Sequence, residues 1–124
     1  PRVEASFLRH AVDAMLQVPD LGSIAAIHEL EVRLGRRVGG STGTNFIAAL
    51  SLALEMQTRN QSGSMVVILC DGGDRYRHSY YDLQWLRQNG FDLEASKQAL
   101  AATLDHGAAL PFSVRSARLE TAQS

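Results

Sequence analysis

The sequence predicts an α/β fold built on a parallel sheet. Segments with strand character, helical segments and glycine-rich loops alternate along the chain, and this alternation is typical of parallel sheets with helices on their faces. Met65–Leu69 is a continuous apolar run with β-branched residues, which indicates a central strand covered on both sides. A second, short strand is expected within Asp13–Val18, because Pro19 favours extended geometry in the residue before it. Two or three strands cannot bury the faces of a parallel sheet, so the chain looks like half of an α/β domain.

The first helix is expected from about Asp20 to Leu34. Its apolar residues recur at spacings of three and four, which places them on one face of a helix. Asp20 or Ser23 is the predicted N-terminal cap. Gly35 is the predicted stop, since glycine readily adopts the left-handed geometry that ends helices.

Three further helices are predicted downstream. Phe46–Met56 is apolar nearly all round, as in a buried helix. Helical stretches follow at about Tyr80–Asn89 and about Leu93–Asp105. The last is expected to be capped by Asp92 and closed by Gly107.

Composition excludes several classes of protein. The chain has 124 residues, a formal net charge of −1 and 45% hydrophobic residues, which suits one ordinary globular unit and gives no electrostatic reason to expect nucleic acid or an anionic membrane as partner. The single cysteine, Cys70, excludes an internal disulfide and a multi-thiolate metal site, and it fits a reducing cytoplasm. No apolar run is long enough to span a bilayer. Because the sequence starts at Pro1 rather than Met, we expect it to be a piece of a longer protein.

Two glycine-rich loops are the candidate ligand sites, because ligands of open α/β sheets bind where strands end. Gly39–Asn45 precedes the buried helix, and Cys70–Tyr76 follows the central strand. The free N–H groups of a helix N-terminus favour an anion, so the first loop, considered alone, fits a phosphate site. The alternative for this loop is a capped helix after a tight turn.

Other kinds of site find little support. The four histidines lack the spacing of metal ligands, and we predict no metal site. Cys70 follows an apolar strand end, so a buried, inert thiol is favoured over a nucleophile. Tyr80, Tyr81 and Trp85 have helical spacing, which favours core packing over a stacking platform.

The order and spacing of the two loops closely resemble the C-terminal third of the cysteine synthase and cystathionine β-synthase family. The segments that carry this resemblance are Gly39–Asn45, the small-residue helix after it, Val66–Tyr76 and Trp85-Leu86. The family consists of pyridoxal-phosphate (PLP) enzymes of fold type II, and residues 35–38 are similar to a cysteine-synthase-like subgroup. The resemblance covers residues 1–90.

The resemblance implies a three-layer parallel-sheet fold and a division of this chain. Residues 1–90 would form the C-terminal part of the large, cofactor-binding domain, residues 91–107 a C-terminal helix and residues 108–124 a loose tail. It also implies that the Gly-Gly-Ser loop contacts the pyridine nitrogen of PLP rather than its phosphate. That contact falls on Ser41, and the other implied cofactor-binding residues are Gly39, Gly40, Thr42, Gly43, Cys70 and Asp71.

The family's Schiff-base lysine lies N-terminal to the matched region, and no motif here corresponds to it. Lys97 is this chain's one lysine and lies beyond that region. We therefore predict no catalytic residue in this chain and no activity for the chain alone. The expected partners are the missing N-terminal part of the enzyme, an amino-acid substrate and a second subunit of a homodimer.

The resemblance implies a parent enzyme that catalyses PLP-dependent β-replacement on an activated serine. The activated serine would be O-acetylserine or O-phosphoserine, and the sulfur donor sulfide or thiosulfate. The alternative is a stand-alone, non-catalytic binding or interaction module that uses the helix N-terminus at Gly39–Asn45 as an anion site.

Overall fold

A computed structural model describes residues 12–70 and 72–118 of the chain. It combines helices with a small sheet, as the α/β class requires, but the sheet in the described part is antiparallel and two-stranded rather than parallel. The elements in chain order are β1 (Ala14–Gln17), α1 (Asp20–Leu34), α2 (Gly40–Thr58), a 3₁₀ helix (Gly73–Tyr76), α3 (Leu83–Gln88), α4 (Leu93–His106) and β2 (Arg115–Arg118).

The sheet joins the two ends of the described chain. β1 lies within the predicted strand segment, and it pairs with β2 from Ala14 opposite Arg118 to Gln17 opposite Arg115. β2 lies in residues 108–124, where we expected a loose tail. Among the described residues before β2, Leu110, Phe112 and Val114 pack against the helical core.

The segment Met65–Leu69 is not a strand in this structure, contrary to the prediction. Residues 61–70 have no helical or strand assignment, and the side chains of Val66 and Ile68 are 89% and 71% exposed. The physical reason is the absence of a neighbouring strand: a strand needs backbone hydrogen-bonding partners along its edges, and no strand in the described part of the chain lies beside this run.

Helices α1, α2 and α4 form the core. Along α1, the consecutive residues Ile24, Ala25, Ala26 and Ile27 are fully buried. Ile47 of α2 and Leu100 of α4 complete one buried cluster with the two alanines. The predicted burial of α2 is confirmed only in part, because several of its residues are half-exposed.

The helix ends follow the glycine predictions better than the capping predictions. Gly35 and Gly107 adopt left-handed geometry after α1 and α4, with φ of 75° and 71°. Asp92 caps α4 by accepting the Ala95 N–H. Neither predicted residue caps α1, whose N-cap position is Pro19 with no side-chain hydrogen bond. Ser23 lies within α1 and instead contacts Thr44 of α2, with 2.6 Å between the two hydroxyl oxygens.

No helix in the described part of the chain is both long and apolar enough to span a membrane.

Candidate functional site

The fold brings the two glycine motifs together. An isolated antiparallel bridge joins Val38 to Gly72. The Cys70 N–H donates to the Thr42 hydroxyl at 2.9 Å, and the Asn45 side chain donates to the Ile68 carbonyl at 3.4 Å. The motif around Gly39–Asn45 and the motif that starts at Cys70 therefore form one continuous site.

The first motif is helical rather than a loop. Gly39 is the extended N-cap residue, and α2 begins at Gly40 instead of Phe46. The N–H groups of Thr42 and Gly43 already bond to the Gly39 carbonyl at 3.1 and 3.3 Å. The structure thus agrees with a helix N-terminus at this motif, but the helix starts about six residues earlier than predicted and has no side-chain cap.

The glycines of this motif permit close packing. A Cβ atom at Gly43 would collide with the Ser23 carbonyl oxygen and lie 2.6 Å from Ile27 Cγ2. One at Gly40 would lie 3.1 Å from Tyr80 Cε2 and 3.3 Å from the Tyr76 ring. Protein atoms already occupy the space beside both glycines, so their missing side chains do not form an open phosphate cradle.

Ser41 and Thr42 have opposite environments in the first turn of α2. Thr42 is fully buried, and its hydroxyl is engaged by Cys70 N–H. Ser41 is exposed, and its hydroxyl has no hydrogen-bond partner among the described residues. Ser41 is therefore the side chain of this turn that can donate to a ligand, whereas Thr42 holds the two motifs together.

Tyr81 fixes the chain just before α2. Its hydroxyl donates to the Val38 carbonyl at 2.7 Å and accepts the Val38 N–H at 3.0 Å. Burial raises the pKa of this phenol, so it stays protonated and able to donate. The sequence indicated core packing for Tyr81, which is correct for the ring but misses the hydroxyl. The signal available was the presence of Tyr rather than Phe at a buried position.

His28 connects α1 to the aromatic segment, residues 76–81, which contains Tyr76, Tyr80 and Tyr81. Its Nε2–H donates to the Tyr80 carbonyl at 2.7 Å, and its ring centroid lies 5.1 Å from that of Tyr81. Burial lowers the pKa of His28. No pattern in the sequence singles out this histidine, and the spacing of the four histidines served only to argue against a metal site.

The Cys70 thiol is exposed, so the prediction of a buried thiol is wrong. The side chains of Ile68 and Leu69, just before it, are exposed as well. The Cys70 sulfur lies 3.7 Å from Asn45 Nδ2. Asp71, the other residue implied at this edge, lies outside the described residues.

The remaining titratable groups do not form a metal centre within residues 12–70 and 72–118, where no cluster of three His, Cys, Asp or Glu side chains is suited to hold a metal ion. Lys97 lies on α4, where its amine is 3.9 Å from a Glu94 carboxylate oxygen. Its side chain is 28% exposed.

Three known proteins are similar to this chain. An L-cysteine desulfhydrase, Cds1, of Mycobacterium tuberculosis is 48% identical over 100 residues, which are 81% of this chain and 27% of the relative. A putative pyridoxal-phosphate-dependent protein of Caenorhabditis elegans is 27% identical over 82% of this chain and 26% of its own length. Cystathionine β-synthase of Apis mellifera is 31% identical over 67% of this chain and 16% of its own length.

The chain spans about a quarter of the length of the first two relatives. No family model matches the sequence, and no solved structure matches it. The relatives nevertheless confirm the resemblance predicted from the two motifs, since all three names are those of PLP-dependent or cysteine-metabolising proteins.

Proposed function

Because the chain is homologous to a segment of PLP-dependent enzymes of the cysteine synthase and cystathionine β-synthase type, we propose that it is the C-terminal, cofactor-lining segment of such an enzyme. One structural observation supports this role most directly. Ser41 presents a hydroxyl without a partner among the described residues, at the point where the two motifs meet.

Ser41 is suited to the pyridine nitrogen of PLP. PLP, when bound, supplies an electron sink for the substrate's Cα and so promotes loss of a group from Cβ. The Ser41 hydroxyl donates a neutral hydrogen bond, which orients the ring without forcing its nitrogen to be protonated, whereas a carboxylate there would favour the protonated form. One such bond contributes on the order of 1 kcal/mol, so Ser41 tunes and orients more than it anchors.

The other site residues act through their backbone or through packing. Gly40 packs the start of α2 against Tyr76 and Tyr80, and Gly43 and Thr42 fix that helix against α1 and Cys70. On the resemblance, Gly39 and Gly40 would lie beside the cofactor. Cys70 belongs to the same edge, and we extend the proposal to Asp71 on the resemblance alone.

The proposed reaction of the complete enzyme is β-replacement on O-acetylserine or O-phosphoserine, with sulfide or thiosulfate as sulfur donor. A second candidate is release of sulfide from L-cysteine, favoured by the 48% identity to a cysteine desulfhydrase. Both reactions break a bond between Cβ and a heteroatom of an amino acid. Sulfide release from L-cysteine and cysteine formation from O-acetylserine, measured side by side on the complete polypeptide, distinguish them.

We also propose that the Schiff-base lysine belongs to the N-terminal part of the enzyme. Lys97 comes after both glycine motifs in the chain, whereas the family's Schiff-base lysine precedes them, and the Lys97 amine is 3.9 Å from a Glu94 carboxylate oxygen. On this proposal residues 91–107 and 108–124 support the domain, and the enzyme is a cytoplasmic homodimer. The 124-residue chain alone then shows no turnover and holds no covalent cofactor. An absorbance band of bound PLP that survives dialysis of this chain would contradict it.

The test of Ser41 uses the complete polypeptide. We expect Ser41→Ala and Ser41→Asp to shift the absorbance spectrum of bound PLP and to change turnover. Ser51→Ala, a matched change farther along α2, should alter neither. If both Ser41 variants keep the wild-type spectrum and rate, Ser41 does not contact the ring nitrogen.

The non-catalytic module remains a separate hypothesis, supported by the helix N-terminus at Gly39. Titration with inorganic phosphate distinguishes it from the enzyme. A module binds phosphate at this turn without the aldehyde of PLP, whereas the proposed enzyme segment requires PLP.

A further inference from the structure

The residues on both sides of Ser41 are held in place by three separate contacts. Val38 is hydrogen-bonded to Tyr81. Gly40 packs closely against the rings of Tyr76 and Tyr80. Thr42 accepts the Cys70 N–H. Ser41 itself is exposed, so its hydroxyl is free while its backbone is constrained.

The contact at Val38 satisfies both backbone groups of one residue. The Tyr81 hydroxyl accepts a hydrogen bond from the Val38 N–H and donates one to the Val38 carbonyl. Val38 and Tyr81 are both buried, so water cannot replace the phenol readily. Without it, two buried backbone groups would lack their partner immediately before the N-cap of α2.

The Tyr81 ring is held in place as well as its hydroxyl, so Tyr81 can keep Val38 in a fixed position. The Arg37 guanidinium lies over the ring, 4.6 Å from its centroid. On another side, a Cβ atom at Gly73 would lie only 3.0 Å from Tyr81 Cε2. The Tyr81 side chain therefore lies between Gly73 of the second motif and Val38, the residue just before the first motif.

We propose that Tyr81 is a positioning residue, which acts through Val38 to hold the first turn of α2 so that the Ser41 hydroxyl is already oriented toward its ligand. This inference rests on the proposed function, because it takes the pyridine nitrogen of PLP as that ligand. A pre-oriented donor loses less conformational freedom on binding than a mobile one, and this strengthens the same hydrogen bond.

The test is a double-mutant cycle in the complete polypeptide, with the dissociation constant for PLP and the absorbance spectrum of the bound cofactor as readouts. Tyr81→Phe keeps the ring and removes the hydroxyl. We expect it to raise the Kd for PLP about three- to fivefold, no more than loss of the Ser41 bond itself would, and to shift the spectrum in the direction of Ser41→Ala. In the Ser41→Ala background, the same Tyr81→Phe change should alter the Kd less than about twofold, because the group it positions is gone.

Thr103→Val is the matched control. Thr103 is also a buried hydroxyl, and its oxygen contacts two backbone carbonyls, those of Ala99 and Ala109. Its loss should lower stability while leaving the Kd for PLP unchanged. An equal rise in Kd for Thr103→Val, or for Tyr81→Phe in both Ser41 backgrounds, would overturn the positioning role and assign Tyr81 to general stability.

The outcomes separate the two proposals. If Ser41→Ala leaves Kd and spectrum unchanged, the proposed contact of Ser41 fails, and the Tyr81 inference fails with it. If Ser41→Ala has its expected effect and Tyr81→Phe has none, only the Tyr81 inference fails. Should Tyr81→Phe not fold, amide exchange of the wild-type protein without cofactor decides: we expect Val38 N–H to be as protected as the amides of α1, and free exchange there overturns the inference.

Discussion

The helical core and the segment of residues 61–70 both contain runs of apolar residues and differ in what surrounds them. Ile24 to Ile27 of α1 are fully buried between α2, α4 and the aromatic segment. The side chains of Val66 and Ile68 are exposed to solvent, although their apolar, β-branched run predicted a buried central strand. An apolar pattern therefore predicts that a segment requires burial, and the neighbours available decide whether it is buried.

The two regions meet at the candidate site. Thr42, which belongs to the core helix α2, accepts the N–H of Cys70, the last residue of the 61–70 segment. One side of the candidate site is thus packed against the helical core. On the proposed function, the other side, at Cys70, packs against the rest of the enzyme.

The largest expected effect contrasts one isoleucine from each region. Ile47→Ala removes a fully buried side chain and should lower the unfolding free energy of the 124-residue chain by about 2–5 kcal/mol. Ile68→Ala should cost less than about 0.5 kcal/mol there, because Ile68 is exposed. Urea denaturation measures both. In the complete polypeptide, the Ile68→Ala cost should rise toward that of Ile47→Ala; equal, small costs of Ile68→Ala in both polypeptides would mean that the segment has no partner.

A glycine pair gives the next largest effect. Gly43→Ala forces a methyl group into the Ser23 backbone and Ile27, and it should lower stability by about 1–3 kcal/mol. Gly63→Ala is the matched change in residues 61–70, where the nearest atom to the added Cβ is the terminal methyl of Met56, at 3.3 Å. Thermal melting of both variants measures the difference. Equal melting temperatures would show that α1 and α2 do not pack as closely as described.

The hydrogen bond between the regions should have a smaller effect. Thr42→Val removes the acceptor of the Cys70 N–H and should cost about 1 kcal/mol. It should also speed amide exchange at Cys70. Thr58→Val is the control, because the Thr58 hydroxyl bonds within its own helix, to the Leu54 carbonyl. Unchanged exchange at Cys70 in Thr42→Val would show that this bond does not join the motifs.

The smallest effect expected is a dependence on pH through His28. Its folded-state pKa lies below the ordinary 6.5, chiefly because of burial, so the unfolded state binds the proton more readily. The contribution of His28 to the unfolding free energy is therefore fully present above pH 6.5, and the unfolding free energy decreases as the pH falls below 6.5. His28→Gln keeps a side-chain N–H for the Tyr80 carbonyl and should flatten the fall in the urea midpoint between pH 7.5 and 5.5. The exposed His78→Gln serves as control, and an unchanged slope in His28→Gln would assign the dependence to other groups.

Local signals in the sequence predicted α1 and α4 well, whereas α3 starts about three residues later than predicted. The bounds of α1 and the left-handed stops at Gly35 and Gly107 were predictable because they depend on residues within one turn. The early start of α2 was not, because its glycines enter the helix to allow tertiary contacts with Ser23 and Tyr80. The pairing of β1 with β2 was hidden for the same reason, since Arg115–Arg118 has no strand pattern of its own.

The motifs predicted which parts of the site meet, but not how each side chain is used. Ser41 and Thr42 are adjacent and chemically alike, yet one hydroxyl is exposed and the other is engaged by Cys70 N–H. The hydrogen bonds of the Tyr81 hydroxyl were likewise not predictable, because its partner Val38 lies 43 residues away in the sequence. Such pairings depend on the folded arrangement of elements and leave no spacing rule in the sequence.

The most direct test of the central claim is amide hydrogen exchange of the complete polypeptide with and without PLP. We expect residues 39–45 and 70–73 to become more protected together when PLP is bound, with α4 unchanged and inorganic phosphate without effect. If neither motif gains protection at saturating PLP, or if phosphate alone produces the same protection, this segment does not line a PLP site.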